Sequence, residues 1–181
     1  MTQYVYHRVP TQMQGNVLYP LNTLRQVFPS IYAAQVQKYK GRELILERLI
    51  PSLHCLWNDV LHLTPVHPRQ LQKALVEAGF DVKGWQWFQI DPAVAEFTPE
   101  NTTIYLYSPD KRDSGNFDKP LADFVPFSRE RLAEVEELPA ATRRYYRQMK
   151  EEGKRPLLFH LVPHILHRGN INVQNVAIIN V

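Results

Sequence analysis

Period-two alternation opens the chain. Across residues 3–9 (QYVYHRV), Val5, His7 and Val9 fall on one side and Tyr4, Tyr6 and Arg8 on the other, which predicts a first strand. The period then lengthens. Leu21, Leu24, Val27 and Phe28 recur at helical spacing. Pro29 interrupts them, and Ser30 is placed to cap a second helix to residue 40, with Gly41 as its stop. A short helix over 42–49 is expected to end before Pro51, because the residue preceding a proline is biased away from helical geometry. The clearest helix spans 68–78: Pro68 suits its first turn, Leu71, Ala74, Leu75 and Ala78 form its apolar stripe, and Gly79 ends it.

The second half turns to strands. WQWFQI (85–90) and TTIYLY (102–107) are aromatic and β-branched and are bounded by turn residues. SPDKRDSGNFDKP (108–120) is polar and reads as a mobile loop. Helices are expected over 128–137 and 139–152, separated at Pro139, with Ala141, Tyr145 and Met149 as the buried stripe of the second. RPLLFHLV (155–162) and NVAIINV (175–181) read as the closing strands. Helices placed early and strands placed late predict one α+β domain with a twisted, mainly antiparallel sheet and flanking helices, rather than alternating βαβ units.

Between the two halves lies the densest mixture of polar and apolar residues. YKGRELILERLIPSLHCLWNDVLHLTPVHP (39–68) sets Arg42, Glu43, His54, Trp57, Asn58, Asp59, His62 and His67 among core-forming side chains. An unsatisfied buried polar group costs about 1–3 kcal/mol, so these must form a structural network or the wall of a site. Asn58 and Asp59 are suited to starting a helix over VLHL or closing a turn. Equally, Trp57 can stack on a planar ligand while Asn58 or Asp59 bonds its polar edge. Arg8 and Arg42 offer rigid forks of donors suited to phosphate or carboxylate. Bridges from Arg42 to Asp59 or Arg8 to Glu43 are the structural alternative.

Composition narrows the classes. The 181 residues are 44% hydrophobic, enough for a substantial core. Net charge is +3 and the isoelectric point about 9.0, which permits an anionic partner without requiring one. The basic excess is concentrated at 143–155, where Arg143, Arg144 and Arg147 form either a solvated helix face or a contact for nucleic acid. Cys55 is the single cysteine, so no intrachain disulfide forms and a reducing compartment is expected. The first residues lack the apolar core of a signal peptide, and no run approaches the ~18 apolar residues of a membrane span. A cytoplasmic protein without membrane contact is the expectation.

The motifs exclude more than they assign. No GxSxG elbow, GxxxxGK[ST] phosphate loop or GxGxxG fingerprint is present, which argues against serine hydrolases, P-loop nucleotidases and Rossmann dehydrogenases. Cys55 in SLHCLW has an apolar setting that leaves a thiol inert. His62, His67, His160 and His164 invite a metal-hydrolase reading, but Pro163 denies His160 and His164 a shared helical face, and no metal ligand set is assigned.

Two ends of the chain resemble the NAD-using ADP-ribosyltransferases, particularly the DarT-type modifiers of nucleic acid. The first strand reads Tyr6-His7-Arg8-Val9-Pro10, where that class carries a histidine or arginine in a Y-H-x-T-like setting. LLFHLVPHILHRGNINVQNVAIINV resembles its late strand, proline-containing turn and final I-x-x-I-x-V strand. The block around IPSLHCLWNDVLHLTPVHP also resembles a bacterial family that supplies no activity. The departure is a missing glutamate: the class places a catalytic one on the late strand, whereas no acid follows Glu152 and His160 stands at that point. The related RNA 2′-phosphotransferases use Arg and His without it. The resemblance therefore implies NAD as cofactor and a nucleotide or nucleic-acid substrate, with His7 on a nucleotide edge, Arg8 or Arg42 on a phosphate, and Trp57, Asn58 and Asp59 as further contacts. His160 or His62 would be the acid/base, since an ordinary imidazole titrates near working pH. A non-enzymatic ligand- or partner-binding protein is the alternative.

Overall fold

The computed structural model describes residues 3–107 and 120–181; all but the last residue of the expected loop 108–120 lies outside them. In chain order, β1 is Val5–Arg8 and β2 Val17–Leu18, followed by α1 Leu21–Val27 and α2 Pro29–Val36. A 3-10 turn, Gln37–Tyr39, and a second, Glu43–Glu47, lead to β3 Leu49–Ile50 and β4 Cys55–Leu56. A third turn, Trp57–Asp59, precedes β5 Leu61–Leu63 and α3 Pro68–Glu77. Then come β6 Gln86–Ile90, β7 Thr102–Tyr105, β8 Phe124–Pro126, α4 Arg129–Ala133 and α5 Ala140–Glu151. The chain closes with β9 His164–His167, β10 Ile171–Asn172 and β11 Ala177–Asn180.

The fold is α+β, and its pairings among the described residues are antiparallel. β6 is the centre of a three-stranded sheet between β1 and β11, and β5-β9-β7-β8 form a second sheet. Alternation decides what lies between them. Val5, Phe88 and Ile90 from the first sheet meet Leu61, Leu63, Ile104 and Ile165 from the second in one apolar cluster. Tyr6 and Trp87 point the opposite way into a cluster with Leu71 and Leu75 of α3 and Tyr146 of α5. The other face of the second sheet, through Tyr105, Phe124 and Leu166, packs on Ile50, Leu53 and Cys55.

Several elements differ from expectation, each for a local reason. The helical run does break at Phe28 (φ −137°, ψ 75°), but Pro29 takes the first position of α2, where its missing N–H costs nothing, and Ser30 lies inside the helix instead of capping it. VLHL is a strand, not a helix. Residues 155–162 are a turn-rich segment, and the late strand starts only at His164. Pro156 and Pro163 bracket that segment, and Leu161 adopts φ 60°. Its backbone is served by α5 instead of a neighbouring strand: Thr142 Oγ1 donates to the His160 carbonyl (2.9 Å), Tyr146 Oη to the Leu158 carbonyl, and the Leu157 amide donates to Tyr145 Oη (3.0 Å). These bonds also rotate α5, so Thr142 and Tyr146 form its buried stripe while Tyr145 and Met149 are half-buried.

Candidate functional site

The two large sheets touch along their edges at one residue pair. Tyr6 and Thr64 exchange both backbone hydrogen bonds (2.8 and 2.9 Å), and β1 and β5 do not pair beyond it. The residues that would have continued that ladder, His7 and Arg8 on one side and His62 on the other, line the resulting gap. α1, α2 and the 37–39 turn wall it, giving a cavity of about 710 Å³. That lies within the ~300–1,000 Å³ range of small-molecule sites.

Pairing brings a further histidine to this wall. His62 is opposite Leu166, and Leu166 and His164 lie two apart on β9, so His62 and His164 share a face. Their ring centroids are 6.3 Å apart. Each cavity histidine is tied to a main-chain carbonyl: His7 Nδ1 donates to Arg8 (2.7 Å), His62 Nε2 to Trp57 (2.8 Å) and His164 Nδ1 to Val162 (2.7 Å). A carbonyl only accepts, so these bonds place the proton of each neutral ring. What remains is an acceptor nitrogen: Nε2 of His7, Nδ1 of His62 and Nε2 of His164.

Electrostatics keep the rings neutral. Burial, aided by Lys38, lowers His7 to about 4 although its ring retains some exposed surface. Burial likewise brings His164 to about 4, and burial together with His164 brings His62 to about 3. Lys38, which also lines the cavity, is itself shifted downward by burial. Lys38 and Arg8 line the cavity, with the Arg8 guanidinium 5.3 Å over the Trp85 ring, and among the described residues no carboxylate lines it.

The central block supplies the rest. Asn58, which lines the cavity, is 1% exposed and accepts from Tyr39 Oη at 3.1 Å, while its Nδ2 is buried without a partner among the described residues. The Trp57 ring is already engaged, with the Arg48 guanidinium 5.2 Å over it and His62 at 4.8 Å. It is a wall more than an open stacking face. Asp59 is structural in its contacts: Oδ2 accepts from the Leu56 amide (2.8 Å), closing the 57–59 turn, and Oδ1 from Asn22 (2.7 Å), fastening α1. It borders a separate cleft of about 550 Å³ with Arg168.

Of the expected site residues, His7, Arg8, Trp57, Asn58 and His62 meet in one cavity, while Arg42, Asp59 and His160 do not line it. Arg42 folds back to donate to the Lys38 carbonyl (3.0 Å), and Lys38 occupies the cationic place instead. Neither expected bridge forms, because Asp59 is taken by Asn22 and Glu43 accepts from the Gly41 amide (2.8 Å). His160 is 4% exposed and lies against Tyr145 with ring centroids 3.8 Å apart, since the turn at 155–162 carries it towards α5. His164 stands where His160 was expected, and its signal was its place between Pro163 and the apolar pair Ile165-Leu166. His67 caps α3 by accepting from the Arg69 amide (3.1 Å).

No group of three or more His, Cys, Asp or Glu among the described residues is arranged to hold a metal. Cys55 is buried, and burial raises its thiol to about 11, away from nucleophilic use. No helix of the described residues is long and apolar enough to cross a membrane. Comparison with protein-family models, curated proteins and solved structures finds no match to this chain.

Proposed function

We propose that this cavity binds a nucleotide of the NAD type, and that the protein is an ADP-ribosyltransferase-like enzyme acting on a nucleotide or nucleic acid. The observation that carries the reading is the wall itself: an arginine and a lysine, three imidazoles each with one acceptor nitrogen, aromatic rings and, among the described residues, no carboxylate, in a space suited to a small molecule. Arg8 and Lys38 would offset phosphate charge, and the unpaired Nδ2 of Asn58 suits a carbonyl or ring-nitrogen acceptor on a base or nicotinamide. NAD, when bound, supplies an activated ribosyl group with nicotinamide as its leaving group. The residues would hold and shield it, and His62, one of the two histidines to which the resemblance gives the acid/base role, would take the proton of the incoming nucleophile.

A second reading rests on the absence of a carboxylate from that wall among the described residues. Without the glutamate of the transferases it resembles, the same cavity supports binding alone.

Thermal shift tests both. A ligand at 100 times its Kd stabilises the folded state by about 2.7 kcal/mol. NAD, ADP-ribose or a mononucleotide should raise the melting temperature, and Asn58→Leu should remove the response. Nicotinamide release from NAD in the presence of nucleic acid then separates enzyme from binder. No shift with any of these ligands at millimolar concentration overturns the nucleotide reading.

A further inference from the structure

We infer that the cavity takes a phosphate-class anion, and that binding it draws a proton from solvent onto His7 or His164. This deepens the nucleotide reading and rests on the cavity being a ligand site. It is carried by the placement of unpartnered atoms. Three imidazoles from β1, β5 and β9 border one space, each with one nitrogen committed to a carbonyl and the other without a hydrogen-bond partner among the described residues. A neutral ring offers that nitrogen only as an acceptor, which repels an anionic oxygen. A protonated ring turns it into a donor, and the carbonyl bond survives the change because the committed nitrogen donates in both states.

The charges around the rings decide which state each ligand prefers. Arg8 on β1 and Lys38 on the 37–39 turn border the cavity, with Tyr39 beside Lys38. Arg48 lies over Trp57, and Tyr105 of β7 approaches His164 with centroids 6.2 Å apart. The nearby acids of the described residues are absent from the wall: Asp59 is held by Asn22 and the Leu56 amide, and Asp123 lies by Tyr105 without lining the cavity. Among the described residues the cavity therefore has cations and no counter-charge, and burial holds its rings neutral, aided by Lys38 at His7 and His62. An anion beside a ring reverses that balance, since an opposite charge within about 4–6 Å moves a titrating group by 1–3 pH units. His164, Lys38 and His7 all oppose a charge on His62, which leaves His7 and His164 as the seats of the proton.

Titration calorimetry with sulfate and with NAD tests this, because neither probe takes up protons itself between pH 5 and 8. Each is measured at pH 8, 7, 6 and 5 in two buffers of different ionisation enthalpy, which counts protons directly on the wild-type protein. Binding should tighten as pH falls, approaching tenfold per unit for one proton taken up. In the His7→Gln/His164→Gln variant, checked for an intact melting transition, binding should lose its pH dependence. Sulfate and NAD binding without proton uptake would overturn the inference and leave the nucleotide reading standing. Proton-linked sulfate binding with no affinity for NAD would do the reverse, and failure of both probes to bind would overturn both.

Discussion

His164 and His167 stand three residues apart on one strand and are put to opposite uses. His167 looks into the apolar cluster between the sheets, where Nδ1 bonds Thr102 Oγ1 (2.8 Å) and the ring stacks on Phe97 with centroids 4.4 Å apart. His164 looks the other way, beside His62, with one nitrogen tied to a carbonyl and one without a hydrogen-bond partner among the described residues. Composition cannot separate them, since both rings are displaced to about 4 by burial. Surroundings do. His167 is closed in a packed core against Phe97, whereas His164 lines the cavity beside His62.

The difference should be largest in stability. On the core face, Ile165→Ala removes a fully buried side chain between the sheets and is expected to cost about 2–5 kcal/mol in denaturant unfolding. On the cavity face, His164→Gln keeps a polar, similarly sized group and should cost well under that. Equal losses would erase the distinction between the faces. Next comes Asp59→Ala, expected to cost about 1–3 kcal/mol because the Leu56 amide and the Asn22 amide lose their acceptor. It should leave the ligand response of the main cavity in place, since Asp59 does not line it; loss of the response with unchanged stability would contradict that placement.

Acid gives a smaller, graded effect. His7, His62, His164 and His167 all have folded values below the ordinary 6.5, so the unfolded chain binds protons first as pH falls. Their contribution to stability is complete above about pH 6.5 and is lost progressively between there and about pH 4. A saturating anion in the cavity should blunt the loss from His7 and His164 but not from His167. The least effect is expected at the basic helix. Replacing Arg143, Arg144 and Arg147 by glutamine should change stability by only tenths of a kcal/mol per site, the Arg143–Glu77 pair at 3.5 Å being surface-exposed. Nucleic-acid binding that falls steeply with salt and vanishes in this variant would give the face a role.

Much of the architecture was legible because it follows from period. The alternation of Val5 and Val9 against Tyr4 and Tyr6 separates the two clusters that those residues join. The Pro68 start and Gly79 stop bracket α3, with Gly79 at φ 91°. What period could not show was who serves a backbone. Residues 155–162 have the composition of a strand, but the side chains of Thr142, Tyr145 and Tyr146 take its carbonyls and an amide, and the strand begins four residues after His160. The site was half legible for the same reason. His7, Trp57, Asn58 and His62 stand in segments whose polar content marks them, whereas Lys38 and His164 reach the cavity through turns and pairings that join distant parts of the chain.

The central claim is that the cavity histidines are neutral, fixed in tautomer, and each keep one free acceptor nitrogen. Long-range ¹H–¹⁵N NMR of the imidazoles reads this directly. The account predicts His62 protonated on Nε2, His7 and His164 on Nδ1, none titrating near pH 6.5, and shifts on adding NAD at all three while His167 is unmoved. Cavity rings that titrate at the ordinary value, or a NAD response confined to His167, would contradict it.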